Sequence, residues 1–92
     1  MNHEWIVYSR TVCPYCSQAK ALLEANGFEY TEVNIDTNAA GRDLLVEQGL
    51  RSVPQIYRQG QLIGGFDKLK VWIDERNKET QQIENVISGI NL

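Results

Sequence analysis

A strand-like run, Trp5-Ile6-Val7-Tyr8, is followed by a helix-like stretch over residues 14–26 and by a second strand-like run within residues 28–36. That order leaves the chain little topological freedom. Two strands joined through a helix lie parallel, because a crossover and not a tight hairpin connects them. The helix is legible from Ala19, Leu22 and Leu23 at helical spacing, from Pro14 at a position suited to a first turn, and from Asn26-Gly27 as a stop. The second strand shows Tyr30, Val33 and Ile35 among polar residues. The first part of the chain is therefore a βαβ unit.

Beyond it, Asp36-Thr37-Asn38 offers several N-cap candidates for a second helix through Leu44, Leu45 and Val46, ending near Gly49. A short loop at residues 50–53 follows. Pro54 opens Gln55-Ile56-Tyr57-Arg58, Gln59-Gly60 supplies turn chemistry, and Gln61-Leu62-Ile63 returns as the second arm of an antiparallel hairpin. Gly64-Gly65 ends the hairpin, and Asp67 is placed to cap a third helix with Leu69, Val71, Trp72 and Ile73 on or near its buried side. Trp5, Trp72 and Leu69 are expected in the core. After Lys78, the spacing of Ile83, Val86, Ile87 and Ile90 predicts a further short amphipathic helix folding back on the domain. No internal repeat, linker or low-complexity tract interrupts this order.

With 92 residues, 42% of them hydrophobic, the chain supports a single domain over residues 1–92. A net charge of −3, with no two Lys or Arg residues adjacent, argues against nucleic acid or anionic lipid as a partner. Met1-Asn2-His3-Glu4 provides no positive region leading into a long apolar segment, and no run reaches membrane-spanning length. A soluble, cytoplasmic protein is expected.

Cys13 and Cys16 are the only cysteines, and they fall where the first strand hands over to the helix. Unpaired N–H groups and the positive end of the helix dipole favour a thiolate at Cys13, the candidate nucleophile. Cys16 lies one turn further on the same face, within disulfide reach, and is the candidate resolving thiol. In a reducing interior such spacing is more often catalytic or metal-binding than a permanent staple. The bland alternatives are two small hydrophobes in a core, or half of a zinc site. Zinc would need two more ligands, and the only histidine is His3, expected to be exposed and without a role as a base. No metal site is expected. Between the cysteines, Pro14 presets the first turn, and Tyr15 either presents a ring beside the sulfur or is ordinary surface.

Val53-Pro54 reads as the opening of an edge strand or, if the bond is cis, as a turn leaving the Val53 N–H and C=O able to pair with an extended peptide. Gly64-Gly65 either turns a corner or admits a ligand to the backbone, with the helix start at Phe66-Asp67 receiving a carboxylate. Arg10 and Arg51 are solvated by default, yet each could hold a carboxylate or stabilise the thiolate if the fold gathers them.

Taken together, Tyr8-Ser9-Arg10-Thr11-Val12-Cys13-Pro14-Tyr15-Cys16, Ser52-Val53-Pro54-Gln55-Ile56 and Ile63-Gly64-Gly65-Phe66-Asp67 resemble the dithiol, CPYC-type glutaredoxins of small bacterial type, in the thioredoxin superfamily. The resemblance covers about residues 4–78 and leaves residues 79–92 as a C-terminal tail. It implies an α/β thioredoxin-like fold, a four-stranded mixed sheet in the order βαβ, α, ββα flanked by helices, here with the extra C-terminal helix. It implies a cis bond before Pro54 and a glutathione-dependent oxidoreductase that reduces protein disulfides and glutathione mixed disulfides through Cys13 and Cys16. Pro14, Tyr15 and Pro54 would support the active site. Glutathione would be a co-substrate, with no tightly bound cofactor. Its groove would be formed by Arg10, Tyr15, Arg51, Val53, Phe66 and Asp67, with cations at the glycine carboxylate, Val53 pairing with the cysteinyl unit and Phe66-Asp67 at the γ-glutamyl end. A monomer acting on disulfide or glutathionylated proteins, ribonucleotide reductase among the compatible targets, completes the expectation.

Thioredoxins usually carry Gly-Pro between the cysteines and Trp before them, where this chain has Pro-Tyr and Val12. Monothiol glutaredoxins that bind iron–sulfur clusters typically end the motif in Ser, where this chain has Cys16. A thioredoxin-like reductase that does not use glutathione, and an iron–sulfur or metal-binding module, are thus the alternatives. Lys68 departs from the acidic or polar residue many relatives place after Asp67.

Overall fold

The structure, a computed structural model, describes residues 4–91, and side chains as far as Lys78. Its elements in chain order are β1 (Trp5–Ser9), α1 (Pro14–Ala25), β2 (Tyr30–Asn34), α2 (Ala39–Glu47), β3 (Gln55–Arg58), β4 (Gln61–Gly64) and α3 (Phe66–Asn91). The sheet order is β2-β1-β3-β4. β1 and β2 are parallel, with Trp5 opposite Tyr30 and Ser9 opposite Asn34. β3 runs antiparallel to both β1 and β4. The mixed four-stranded sheet and the βαβ, α, ββα order expected from the sequence are both present.

Strand alternation sends Trp5 and Val7 to one face, where with Ile56 they are buried beneath Ala19 and Leu23 of α1 and Leu69 and Ile73 of α3. Each buried Val, Leu and Ile side chain contributes roughly 1.5–3 kcal/mol, so α1 and α3 are held by this shared cluster. Half-buried Trp72 meets Trp5 edge-on at a centroid distance of 5.0 Å. At that margin the Arg58 guanidinium lies 5.1 Å from the Trp72 ring, and its Nε is 2.9 Å from Glu4.

The opposite face carries Tyr8 and Val33, which are cross-strand partners. α2 approaches closely there: a Cβ at Gly41 would stand 2.6 Å from Val33 Cγ1 and 3.6 Å from Tyr8 Cε2. Among the three N-cap candidates Asn38 is the one used, its side chain accepting the Gly41 N–H at 2.8 Å.

Three expectations are corrected. Asp67 does not cap α3: Gly65 C=O accepts the first helical bond, from Leu69 N–H at 3.0 Å, which places Asp67 inside the first turn. Val71 is 53% exposed, because Leu69, Trp72 and Ile73 already define a stripe at i, i+3, i+4 and Val71 falls off it. Val46 is likewise exposed on α2, where Leu45 turns inward. The separate C-terminal helix does not form, since α3 runs unbroken from Phe66 to Asn91. Neither Gly nor Pro occurs between Lys78 and Ile83 to stop it. The side chains of Ile83, Val86, Ile87 and Ile90, and all of His3, lie outside what is described. Among the described residues no helix is long and apolar enough to cross a membrane.

Candidate active site

Where β1 ends, the chain turns through residues 10–12 and enters α1 with Cys13 as its N-cap, in extended conformation. The Cys16 N–H donates to Cys13 Sγ at 3.1 Å. Pro14 takes the first helical position, where a missing N–H costs no hydrogen bond. The N–H directed at the sulfur and the positive end of α1 both stabilise negative charge on Cys13. The two cysteines are joined in a disulfide, with Cα atoms 5.2 Å apart. They are unequal in access: Cys16 is 1% exposed, while Cys13 is only half-buried. An incoming thiol or disulfide therefore reaches Cys13.

The Val53–Pro54 bond is cis, as the resemblance implied. The Val53 carbonyl oxygen lies 3.9 Å from Cys13 Sγ. The Val53 N–H has no backbone partner among the described residues, so this residue presents a free pairing edge beside the sulfur. Gln55 braces the loop by donating to Ser52 O at 2.9 Å. A cleft of about 380 Å³ opens here, lined by residues 52–54, by Tyr15 and Phe66, and by Gly65, Asp67 and Lys68. The Tyr15 and Phe66 rings are 5.9 Å apart. The stem of Lys68 lies against Gly64, at which a Cβ would stand 2.8 Å from Lys68 Cγ.

Arg10 and Arg51 do not line that cleft. They border a second one, also about 380 Å³, that shares Ser52 and Val53 with the first and adds Arg42 of α2. The structure thus brings Tyr15, Val53, Pro54, Phe66 and Asp67 together on one cleft, which reaches Cys13 through Val53, and places Arg10 and Arg51 on the neighbouring one. Sequence reasoning treated Asp36 only as a possible helix cap. Asp36 instead accepts the Thr11 N–H at 2.9 Å and the Arg10 Nε–H at 3.1 Å, tethering the loop that delivers Cys13. The Thr11 N–H, followed by Arg10, holds its carboxyl below the ordinary range. Its place just past β2, parallel to the end of β1, was the available signal.

The glutaredoxin family model matches residues 6–63. Glutaredoxin 3 of Escherichia coli (strain K12) is 45% identical over 64 residues, covering 68% of this chain and 77% of that protein. A glutaredoxin of Ricinus communis is 41% identical over 66 residues, covering 67% and 65% respectively. Among solved structures, a buckwheat glutaredoxin in complex with glutathione superposes with a TM-score of 0.66 at 29% identity, over 89% of this chain and 74% of that one. Glutaredoxin 1 of Francisella tularensis, complexed with cacodylate, gives a TM-score of 0.68 at 29% identity over 84% and 99%. The architecture is thioredoxin-like, and the chain belongs to the glutaredoxin family as a dithiol member, a glutathione-dependent thiol-disulfide oxidoreductase.

Proposed function

We propose that this single domain reduces both protein disulfides and glutathione mixed disulfides, with Cys13 attacking and Cys16 resolving. The observation that carries the assignment of roles is the unequal access of the two sulfurs: Cys13 is half-buried at the helix start and Cys16 is 1% exposed. On a glutathionylated substrate, the Cys13 thiolate attacks the glutathione sulfur and the substrate thiolate leaves, taking up a proton from solvent. A second glutathione thiolate then attacks that glutathione sulfur, which forms glutathione disulfide and frees Cys13. On a protein disulfide, Cys13 forms the mixed disulfide and Cys16 displaces the substrate. The resulting Cys13–Cys16 disulfide is the state described above, and two glutathiones reduce it.

The groove follows the same logic. The Val53 N–H and C=O pair with the cysteinyl unit, and Tyr15 and Phe66 flank it. The start of α3 and Lys68 receive the γ-glutamyl carboxylate while Asp67 faces its ammonium. Arg10 and Arg51 take the glycine carboxylate. The buckwheat relative captured with glutathione supports this reading. We place the protein in the reducing cytoplasm as a monomer without a resident cofactor, acting on disulfide and glutathionylated proteins, with ribonucleotide reductase a compatible target.

The test is turnover of the glutathione–hydroxyethyl mixed disulfide, coupled to glutathione reductase and NADPH, on three proteins. Wild type is expected to be active, Cys16→Ser to retain this activity while losing dithiol reduction, and Cys13→Ser to lose both. Activity in Cys13→Ser would sink the assignment.

A further inference from the structure

We propose that Asp36 is a positioning residue of this reaction, a carboxylate that holds the loop ahead of Cys13 with one oxygen and restrains the charge of Arg10 with the other. The inference rests on the groove proposed above, in which Arg10 takes the glycine carboxylate, and assigns a role to a residue outside that groove.

β1 and β2 run parallel with Ser9 opposite Asn34, so the two segments leave the sheet side by side. The Ile35 N–H donates to Ser9 O at 2.8 Å, which carries the pairing past the end of β2. Asn34 then holds both sides: its Nδ2 donates to Thr11 Oγ1 at 3.2 Å, and its Oδ1 accepts the Asp36 N–H at 2.8 Å. Asp36, located in this way, accepts the Thr11 N–H on Oδ2 at 2.9 Å and the Arg10 Nε–H on Oδ1 at 3.1 Å. Thr11 stands just ahead of Val12 and Cys13, so the tether fixes the backbone that brings the sulfur to the start of α1.

Stability does not account for the pair. The Arg10 and Asp36 side chains are 59% and 33% exposed, and an ion pair so exposed adds little to folding. Its location gives it another effect. Arg10 lines the cleft that shares Val53 with the Tyr15–Phe66 cleft, and the Val53 carbonyl oxygen lies 3.9 Å from Cys13 Sγ. A positive charge there favours a thiolate on Cys13 and a carboxylate on the substrate, and the Asp36 carboxylate opposes both. The other charged or titratable groups on the two clefts are Arg42, Arg51, Tyr15, Asp67 and Lys68. Among the described residues, Arg10 alone is ion-paired with Asp36. On α1 the only cation, Lys20, is committed to Glu32.

The experiment compares wild type, Asp36→Asn and Asp36→Ala, each checked for an unchanged far-ultraviolet circular dichroism spectrum. Two quantities are read: kcat and KM on the glutathione–hydroxyethyl mixed disulfide, and the pH midpoint of Cys13 alkylation by iodoacetamide, the latter in a Cys16→Ser background where Cys13 is the only thiol. Asp36→Asn keeps an oxygen for the Thr11 N–H and gives up the negative charge. Its alkylation midpoint is expected to fall by about half a unit, the scale of one removed charge screened by surface solvent. Its KM should fall about twofold with kcat preserved, because Arg10 is released toward the glycine carboxylate. Asp36→Ala loses charge and tether together, so its kcat is expected to lie about threefold or more below that of Asp36→Asn. A brace without an electrostatic role would not lower the midpoint in Asp36→Asn. A midpoint in that variant at or above the wild-type value, or equal kcat in the two variants, would overturn the proposal and leave the oxidoreductase reading standing. Should Asp36→Ala misfold, the Asp36→Asn midpoint decides alone. A wild type inactive on the small mixed disulfide would instead overturn the functional reading and the role of Asp36 with it.

Discussion

Ser9 is fully buried at the end of β1, and a hydroxyl so placed requires a partner. It finds one across the sheet, donating to Glu32 Oε2 at 2.6 Å, where Lys20 Nζ also arrives at 2.9 Å. The Ser9 hydrogen bond is the larger cause, ahead of Lys20, of a Glu32 carboxyl held below its ordinary value. Ser9→Ala is therefore expected to raise the Glu32 titration midpoint, read by side-chain carbon NMR across an acid titration. An unmoved midpoint would assign the effect to Lys20 alone. At this scale the sequence was most legible where chemistry is local: Cys13, Pro14, Tyr15 and Cys16 adjoin one another, and Val53-Pro54 and Phe66-Asp67 each read as a unit. Asp36 was not legible, because its partners Thr11 and Arg10 lie 25 and 26 residues earlier. Only the parallel alignment of two strand ends brings them together.

Among the elements, α2 shows how one small residue sets a distance. Gly41 rests where any Cβ would press into Val33 Cγ1, so Gly41→Ala must displace the helix, the strand or the Val33 side chain. Overpacking of this kind costs about 1–3 kcal/mol, expected as a lowered urea midpoint at unchanged m-value. A wild-type midpoint would mean that Val33 rotates aside freely. Periodicity was sufficient to place every strand and helix of the domain, since each hydrophobic stripe is short and bounded by turn residues. It could not show that residues 79–91 prolong α3, because a stripe at i, i+3, i+4, i+7 looks the same in a separate helix and in a continuation. The missing stop signal after Lys78 carried that information. Nor could it place Val46 and Val71, whose chemistry reads as core while helix geometry turns both toward solvent.

For the molecule as a whole, acid is the informative perturbation. The ordinary values of Glu32 and Asp36 are 4.5 and 3.8, and both groups are depressed in the fold. A carboxylate with a lowered folded-state pKa stabilises the protein above its unfolded value, and that stabilisation disappears as pH falls through the folded value. The melting temperature is thus expected to hold from neutrality to about pH 5 and to decline below it, modestly, because both groups are solvent-accessible. A melting curve insensitive to pH down to about 3 would contradict this linkage. The division of the site into two clefts belongs to this scale as well. Sequence grouped Arg10 and Arg51 with Tyr15 and Phe66, whereas in the fold the two arginines border the cleft to which α2 contributes.

β1 runs from Trp5 to Ser9 and on toward Cys13, so the Glu4–Arg58 pair and the Trp5–Trp72 contact lie at the opposite end of the sheet from the sulfur. A copy anchored by that far end to an electrode, a bead or a fused reporter would present its reactive sulfur outward, and could serve as an immobilised probe of ambient redox state without the attachment crowding its substrate.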